Sequence, residues 1–156
     1  MPDAKTHDTI NIAVMLVILA SLSYLTMWKE NEMAIRYLDI YMITIFSISY
    51  LFATFFLSPD LDIESKPYKR WKIFKFLWWP YKVIFKHRGF SHNPIIGPLS
   101  IIINLALIVA LLFLIIGVDL HKVPLRYIIV ATAGMCLSME VHIISDSLIS
   151  KAKSYF

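Results

Sequence analysis

Four stretches of this chain, about 10–28, 38–57, 95–118 and 125–149, approach or exceed the length a helix needs to cross a bilayer, and none carries a polar stripe. A helix of about 20 apolar residues covers roughly 30 Å of hydrocarbon, whereas a soluble core helix keeps one face polar. The chain has 156 residues, enough for one domain, and a mean hydropathy of +0.67 with 58% hydrophobic residues lies outside the soluble range. The expected fold class is an all-α integral membrane protein with four transmembrane helices. The first stretch lacks a small-residue cleavage site and is followed by another span, so it reads as a retained helix rather than a signal peptide.

The fourth stretch is the odd one, because it contains Glu140, His142 and Asp146. An ionisable group at the bilayer centre costs roughly 2.5–3.5 kcal/mol even on lenient insertion scales, so these residues need partners or a wet cavity. Cys136 is the sole cysteine, which rules out a disulfide framework or a thiolate cluster. Any metal must take nitrogen and oxygen ligands.

Four spans place both termini and the connection between the second and third spans on one side. That side holds eleven of the lysines and arginines, and the other holds only Lys29, Arg36, Lys122 and Arg126. By the positive-inside rule the protein is expected in the inner (plasma) membrane, multi-pass, with both termini cytoplasmic. Within the long connection, KRWKIFKFLWWPYKVIFK alternates bases with aromatic and aliphatic residues. Aromatic rings favour the headgroup layer and Lys stems snorkel towards phosphate, so residues 66–86 are expected to form an amphipathic interfacial segment, an in-plane helix broken near Pro80. The same interleaving also suits single-stranded nucleic acid, but spans on both sides favour lipid, and no nucleic-acid partner is expected.

The polar outliers fall in an orderly way. His7-Asp8 stand just before the first span and Ser58-Pro59-Asp60-Leu61-Asp62 just after the second; His87-Arg88-Gly89-Phe90-Ser91-His92 precede the third, and His142 and Asp146 lie towards the end of the fourth. All lie on the cytoplasmic side of the expected topology; His121 alone among the histidines falls on the other. Imidazole and carboxylate suit divalent transition ions, so His7, Asp8, Asp60, Asp62, His87, His92, His142 and Asp146 are the candidate ligands of one or two ions, zinc first, with manganese or iron as alternatives. His142 and Asp146, four residues apart, share a helix face. Each piece has a plainer reading: Asp60 as a cap after a proline turn, His7 or His87 as a solvated histidine. Glu140, on a different face from His142, reads either as an acid–base group or as a structural partner.

These motifs, with Arg70-Trp71 and Pro80-Tyr81 between them, resemble a family of metal-binding membrane proteins of unknown function along nearly the whole chain. They are also similar to the LexA-regulated inner-membrane metal-dependent hydrolases. PDLD and HRGxSH are the specific elements; Ala4-Lys5-Thr6 depart from the Gly-rich lead-in expected before His7. The resemblance implies that residues 1–156 form a single transmembrane metal-binding domain, and hydrolase chemistry through a metal-activated water. The substrate expected from the site's depth is a lipid or lipid-linked phosphate ester. Arg88 would meet a phosphate oxygen, Lys86 and the basic segment would hold the anionic headgroup, and Ser91 would position water. A di-iron oxidative enzyme acting on lipids, or a non-catalytic metal sensor or transporter, are the other classes, and a homo-oligomer fits any of them. No HExxH occurs, which disfavours a zincin protease.

Overall fold

The computed structural model describes residues 4–27, 39–85, 93–119 and 122–154, and among them there is no strand. Helix α1 runs Ala4–Met27, α2 Ile40–Phe56, α5 Ile96–Ile116 and α6 Leu125–Ser154; between α2 and α5 lie the short helices α3, Lys66–Arg70, and α4, Trp79–Ile84. The chain turns through 3₁₀ segments at Pro59–Asp62 and Lys72–Trp78. Three helices are long and apolar enough to cross a membrane: Lys5–Leu25 within α1, Ile96–Ile116 and Leu125–Ala152.

Helix α2 has 17 residues, a shorter element than the expected stretch 38–57. Its ends are set by local chemistry: the Asp39 side chain accepts from Met42 N at 2.8 Å, while Leu57 leaves the helix in an extended conformation ahead of Ser58-Pro59. The start of α1 differs more. The helix already includes the residues from Ala4 on, so His7 and Asp8 lie within it and not ahead of it. Gly117, at φ 75°, ends α5 in the left-handed conformation that a side chain would resist.

Helices α2 and α6 form the most intimate pair. A Cβ at Gly134 would stand 2.5 Å from Ser49 Oγ and 2.8 Å from the Phe46 carbonyl oxygen, so only glycine admits this approach. Gly134 on α6 meets Ser49 on α2 and Ser138 meets Thr54, small residues at the contact on both partners, the pattern that lets membrane helices close in. A buried polar seam ties α1 to this pair. The Tyr50 hydroxyl donates to Asn11 Oδ1 at 3.1 Å, Thr54 and Ser138 hydroxyls meet at 2.9 Å, and Asn11 Nδ2 donates to the His7 carbonyl at 3.3 Å.

The connection between α2 and α5 folds onto the end of the bundle. Leu61, Tyr68, Trp78 and Tyr81 join Leu57, Ala53, Ile101 and Met139 in one buried cluster. The helical path changes near Pro80, where the 3₁₀ segment ends at Trp78 and α4 starts at Trp79 with Pro80 in its first turn; a second bend falls at Trp71-Lys72, where Lys72 takes φ 48°. Proline is favoured at Pro80 because a first-turn N–H has no intrahelical acceptor to lose. Ile73, Phe76, Trp79 and Ile84 point outward, 65–79% exposed, beside Lys69 and Lys72.

Candidate metal centre

Two elements carry the site and a third approaches it. His7 comes from the second turn of α1, and His142 and Asp146 come from one face of α6. The turn Pro59–Asp62 brings Asp60. That turn is built by Ser58, whose hydroxyl accepts from Asp60 N at 3.2 Å, and by Pro59, whose fixed φ starts the 3₁₀ segment.

The two imidazoles stack with centroids 4.0 Å apart. Asp146 serves both: its Oδ1 is 3.1 Å from His7 Nε2 and its Oδ2 is 3.6 Å from His142 Nε2. Asp60 Oδ2 also lies 3.6 Å from His142 Nε2. Both histidines are buried, and the carboxylates are 14% and 19% exposed for Asp146 and Asp60. His7 Nδ1 lies 2.9 Å from Ser145 Oγ. A cavity of about 50 Å³, lined by His7, Asp60, Thr54, Lys66 and His142 among others, opens on the cluster. At roughly 10–15 Å³ of such volume per molecule it has room for a few waters.

This donor set fits a divalent transition ion. One ligand atom each from His7, His142 and Asp146 lie within 4.8 Å of one another. Metal–nitrogen and metal–oxygen bonds of about 2.0–2.2 Å arranged tetrahedrally put donors roughly 3.3–3.5 Å apart, close to the separations seen. His142 Nε2 is fully buried with no hydrogen-bond partner, a costly condition that coordination would relieve.

The remaining sequence candidates separate. Asp8 lines the same cavity, but its Oδ2 accepts from Arg70 Nη2 at 2.7 Å. Asp62 is buried beside Tyr81, whose phenol is pushed above its ordinary range chiefly by burial, with the charges of Asp62 and Asp60 adding to it. Glu140 is half-buried on another face of α6, near Cys136 and two residues from His142, a spacing that points side chains to nearly opposite sides. His87, Arg88, Ser91 and His92 lie outside the described residues, as do Lys86 and His121.

Arg70 and Trp71 hold the connection in place. Arg70 Nη1 donates to the Phe55 carbonyl at 2.9 Å and Trp71 Nε1 to the Phe56 carbonyl at 2.9 Å, satisfying oxygens that the end of α2 would leave open. Arg70 thus links the ends of α1 and α2. A double-mutant cycle of Asp8→Asn with Arg70→Met is expected to give a coupling of about 1 kcal/mol in thermal unfolding, modest because the Arg70 side chain is 32% exposed.

Three helices long and apolar enough to cross a membrane, with an imidazole–carboxylate cluster near the N-terminal end of α1 and the C-terminal part of α6, define the class: an all-helical protein consistent with a membrane setting and carrying a metal-competent centre. The chain belongs to the family of uncharacterized metal-binding proteins designated DUF2227, which it matches over residues 2–156. It is similar to a protein of Aquifex aeolicus (strain VF5), named only as an uncharacterized protein, with 58% identity over 55 residues, 35% of this chain. Those residues span 39% of that relative's length. No solved structure matches the chain.

Proposed function

We propose that this protein is a membrane-embedded metal-dependent hydrolase that cleaves a phosphate ester of a lipid or lipid-linked substrate at the cytoplasmic leaflet. The observation that carries the reading is the position of the cluster along α6. At about 1.5 Å per residue, His142 and Asp146 lie roughly 26 and 32 Å from the start of the helix at Leu125, close to the depth of one hydrocarbon layer. Donors at that level meet headgroups, not acyl chains. The resemblance to LexA-regulated hydrolases supports the same reaction class, and the surplus of bases on this side supports the cytoplasmic leaflet. Helix α2 is read as the fourth span, its 17 residues extended by Leu57.

The outward Ile73, Phe76, Trp79 and Ile84, with their neighbouring lysines, are read as the face that sits in the headgroup layer. A divalent ion, zinc by preference, would supply a Lewis acid that lowers the pKa of water and neutralises phosphoryl oxygens. His7, His142, Asp146 and Asp60 would hold it. Lys66, at the rim of the cavity, offers a cation to an anionic headgroup. Thr54, which also lines the cavity, donates its proton to the Tyr50 carbonyl at 3.0 Å and accepts from the Ser138 hydroxyl at 2.9 Å, which fixes this wall of the site.

The test is hydrolysis by the purified protein in nanodiscs of defined lipid, with zinc restored after chelation. Release of phosphate or headgroup that stops with chelator and returns with metal is the expected result. Full activity in excess chelator would overturn the reading. Iron retained through purification with an oxygen-dependent spectrum would favour the oxidative class instead.

A further inference from the structure

We infer that Ser145 is a positioning residue for the metal centre: by holding the proton of His7 on Nδ1, it turns the Nε2 lone pair towards the ion. This rests on the metal-centre reading and is independent of hydrolysis.

Ser145 Oγ lies 2.8 Å from the His142 carbonyl oxygen, three residues back on α6, and a carbonyl can only accept. Ser145 therefore donates there. Its oxygen also lies 2.9 Å from His7 Nδ1, and with its proton committed it can only accept, so the proton on that side belongs to Nδ1. Nε2 then carries the lone pair in neutral His7. That lone pair faces Asp146 Oδ1 at 3.1 Å, a separation that either a shared proton or a metal ion between the two can hold, and an ion bound there would take the Nε2 lone pair and the carboxylate together. Ser145 is itself 6% exposed, so no water competes freely for its hydroxyl.

One serine thus fixes two ligands. It orients the His7 ring through Nδ1, and through the carbonyl bond it is locked to the very turn of α6 that carries His142. Metal-binding histidines commonly give their second ring proton to a carboxylate or carbonyl that sets tautomer and orientation. Here a hydroxyl plays that part, and its acceptor role is enforced by the helix backbone. Thr9 and Ser21 on α1 also donate to backbone carbonyls of their own helix, but neither stands against an imidazole.

The experiment uses the full chain in detergent, stripped with chelator and titrated with zinc and with cadmium. Ser145→Ala is expected to lower zinc affinity about 10–100-fold, the usual cost of removing such a partner, and Ser145→Thr to recover most of it by restoring the hydroxyl. In cadmium-loaded wild type labelled with ¹⁵N-histidine, the His7 signals, identified by their loss in His7→Gln, should show a protonated Nδ1 and cadmium coupling at Nε2. Unchanged affinity in Ser145→Ala, a Thr variant as weak as the Ala variant, or cadmium coupling at His7 Nδ1 would each overturn the assignment. The wild-type coupling pattern decides even where a variant fails to fold. Failure of wild type to bind either ion would remove the metal centre as well, whereas tight wild-type binding with an unaltered alanine variant sinks only the role of Ser145.

Discussion

His142→Ala is expected to weaken zinc binding by about a hundred- to a thousand-fold, whereas Asp8→Asn should change it by less than about threefold. Structural zinc sites gain roughly 10–16 kcal/mol from about four ligands, so one ligand accounts for about 2.5–4 kcal/mol. His142 is the ligand that stands between the two carboxylates: its Nε2 lies 3.6 Å from both Asp60 and Asp146, and its ring stacks on His7. Asp8 is engaged by Arg70 instead, so its amide analogue leaves the cluster intact. Competition titration against a chromophoric chelator measures both. Equal losses in the two variants would show that the ion sits nearer Asp8 and Arg70 than the imidazoles.

Gly134→Leu is the substitution expected to cost the fold most. A leucine must displace the Phe46 carbonyl, which a first carbon alone would approach to 2.8 Å, and that oxygen belongs to backbone and cannot swing aside. Overpacking of this kind costs typically 1–3 kcal/mol and occasionally more. Because α2 and α6 would be forced apart, the loss should also reach the centre: Asp60 follows the end of α2 while His142 rides on α6. Thermal unfolding in detergent should show a large drop in midpoint, with Gly134→Ala intermediate, and zinc affinity should fall in parallel. A leucine variant with native stability and affinity would mean that the helices do not meet at this glycine.

The residues gathered at the centre were each visible in the sequence as polar groups in or beside apolar stretches, where burial without a partner is penalised. That penalty makes His142 and Asp146 stand out with no structure in hand. The element ends were less legible. Apolar composition marks where hydrocarbon contact ends, not where hydrogen bonding ends, so composition puts His7 ahead of a helix that already runs through it. Pro80 marks the boundary between the 3₁₀ segment and α4 and lies in the first turn of the new helix, where proline is favoured, whereas the bend at Lys72 has no proline or glycine beside it to announce it. Partnerships between distant residues left no trace in spacing. The pairing of Asp8 with Arg70 joins positions 62 residues apart, and that of His7 with Ser145 joins positions 138 apart. Ser145 in particular looks like any small residue of a membrane helix until its two neighbours are known.

The polar seam of Asn11, Tyr50, Thr54 and Ser138 bears on how such a small bundle keeps its chemistry in register. Lipid tails wet an apolar helix face as readily as another helix does, so greasy surfaces alone leave each rod free to roll about its long axis. A few directional bonds one helical turn from the imidazoles act as a spline, tying α1, α2 and α6 together and denying them rotation. The ligand geometry should therefore suffer from the loss of a single hydroxyl or amide from that seam.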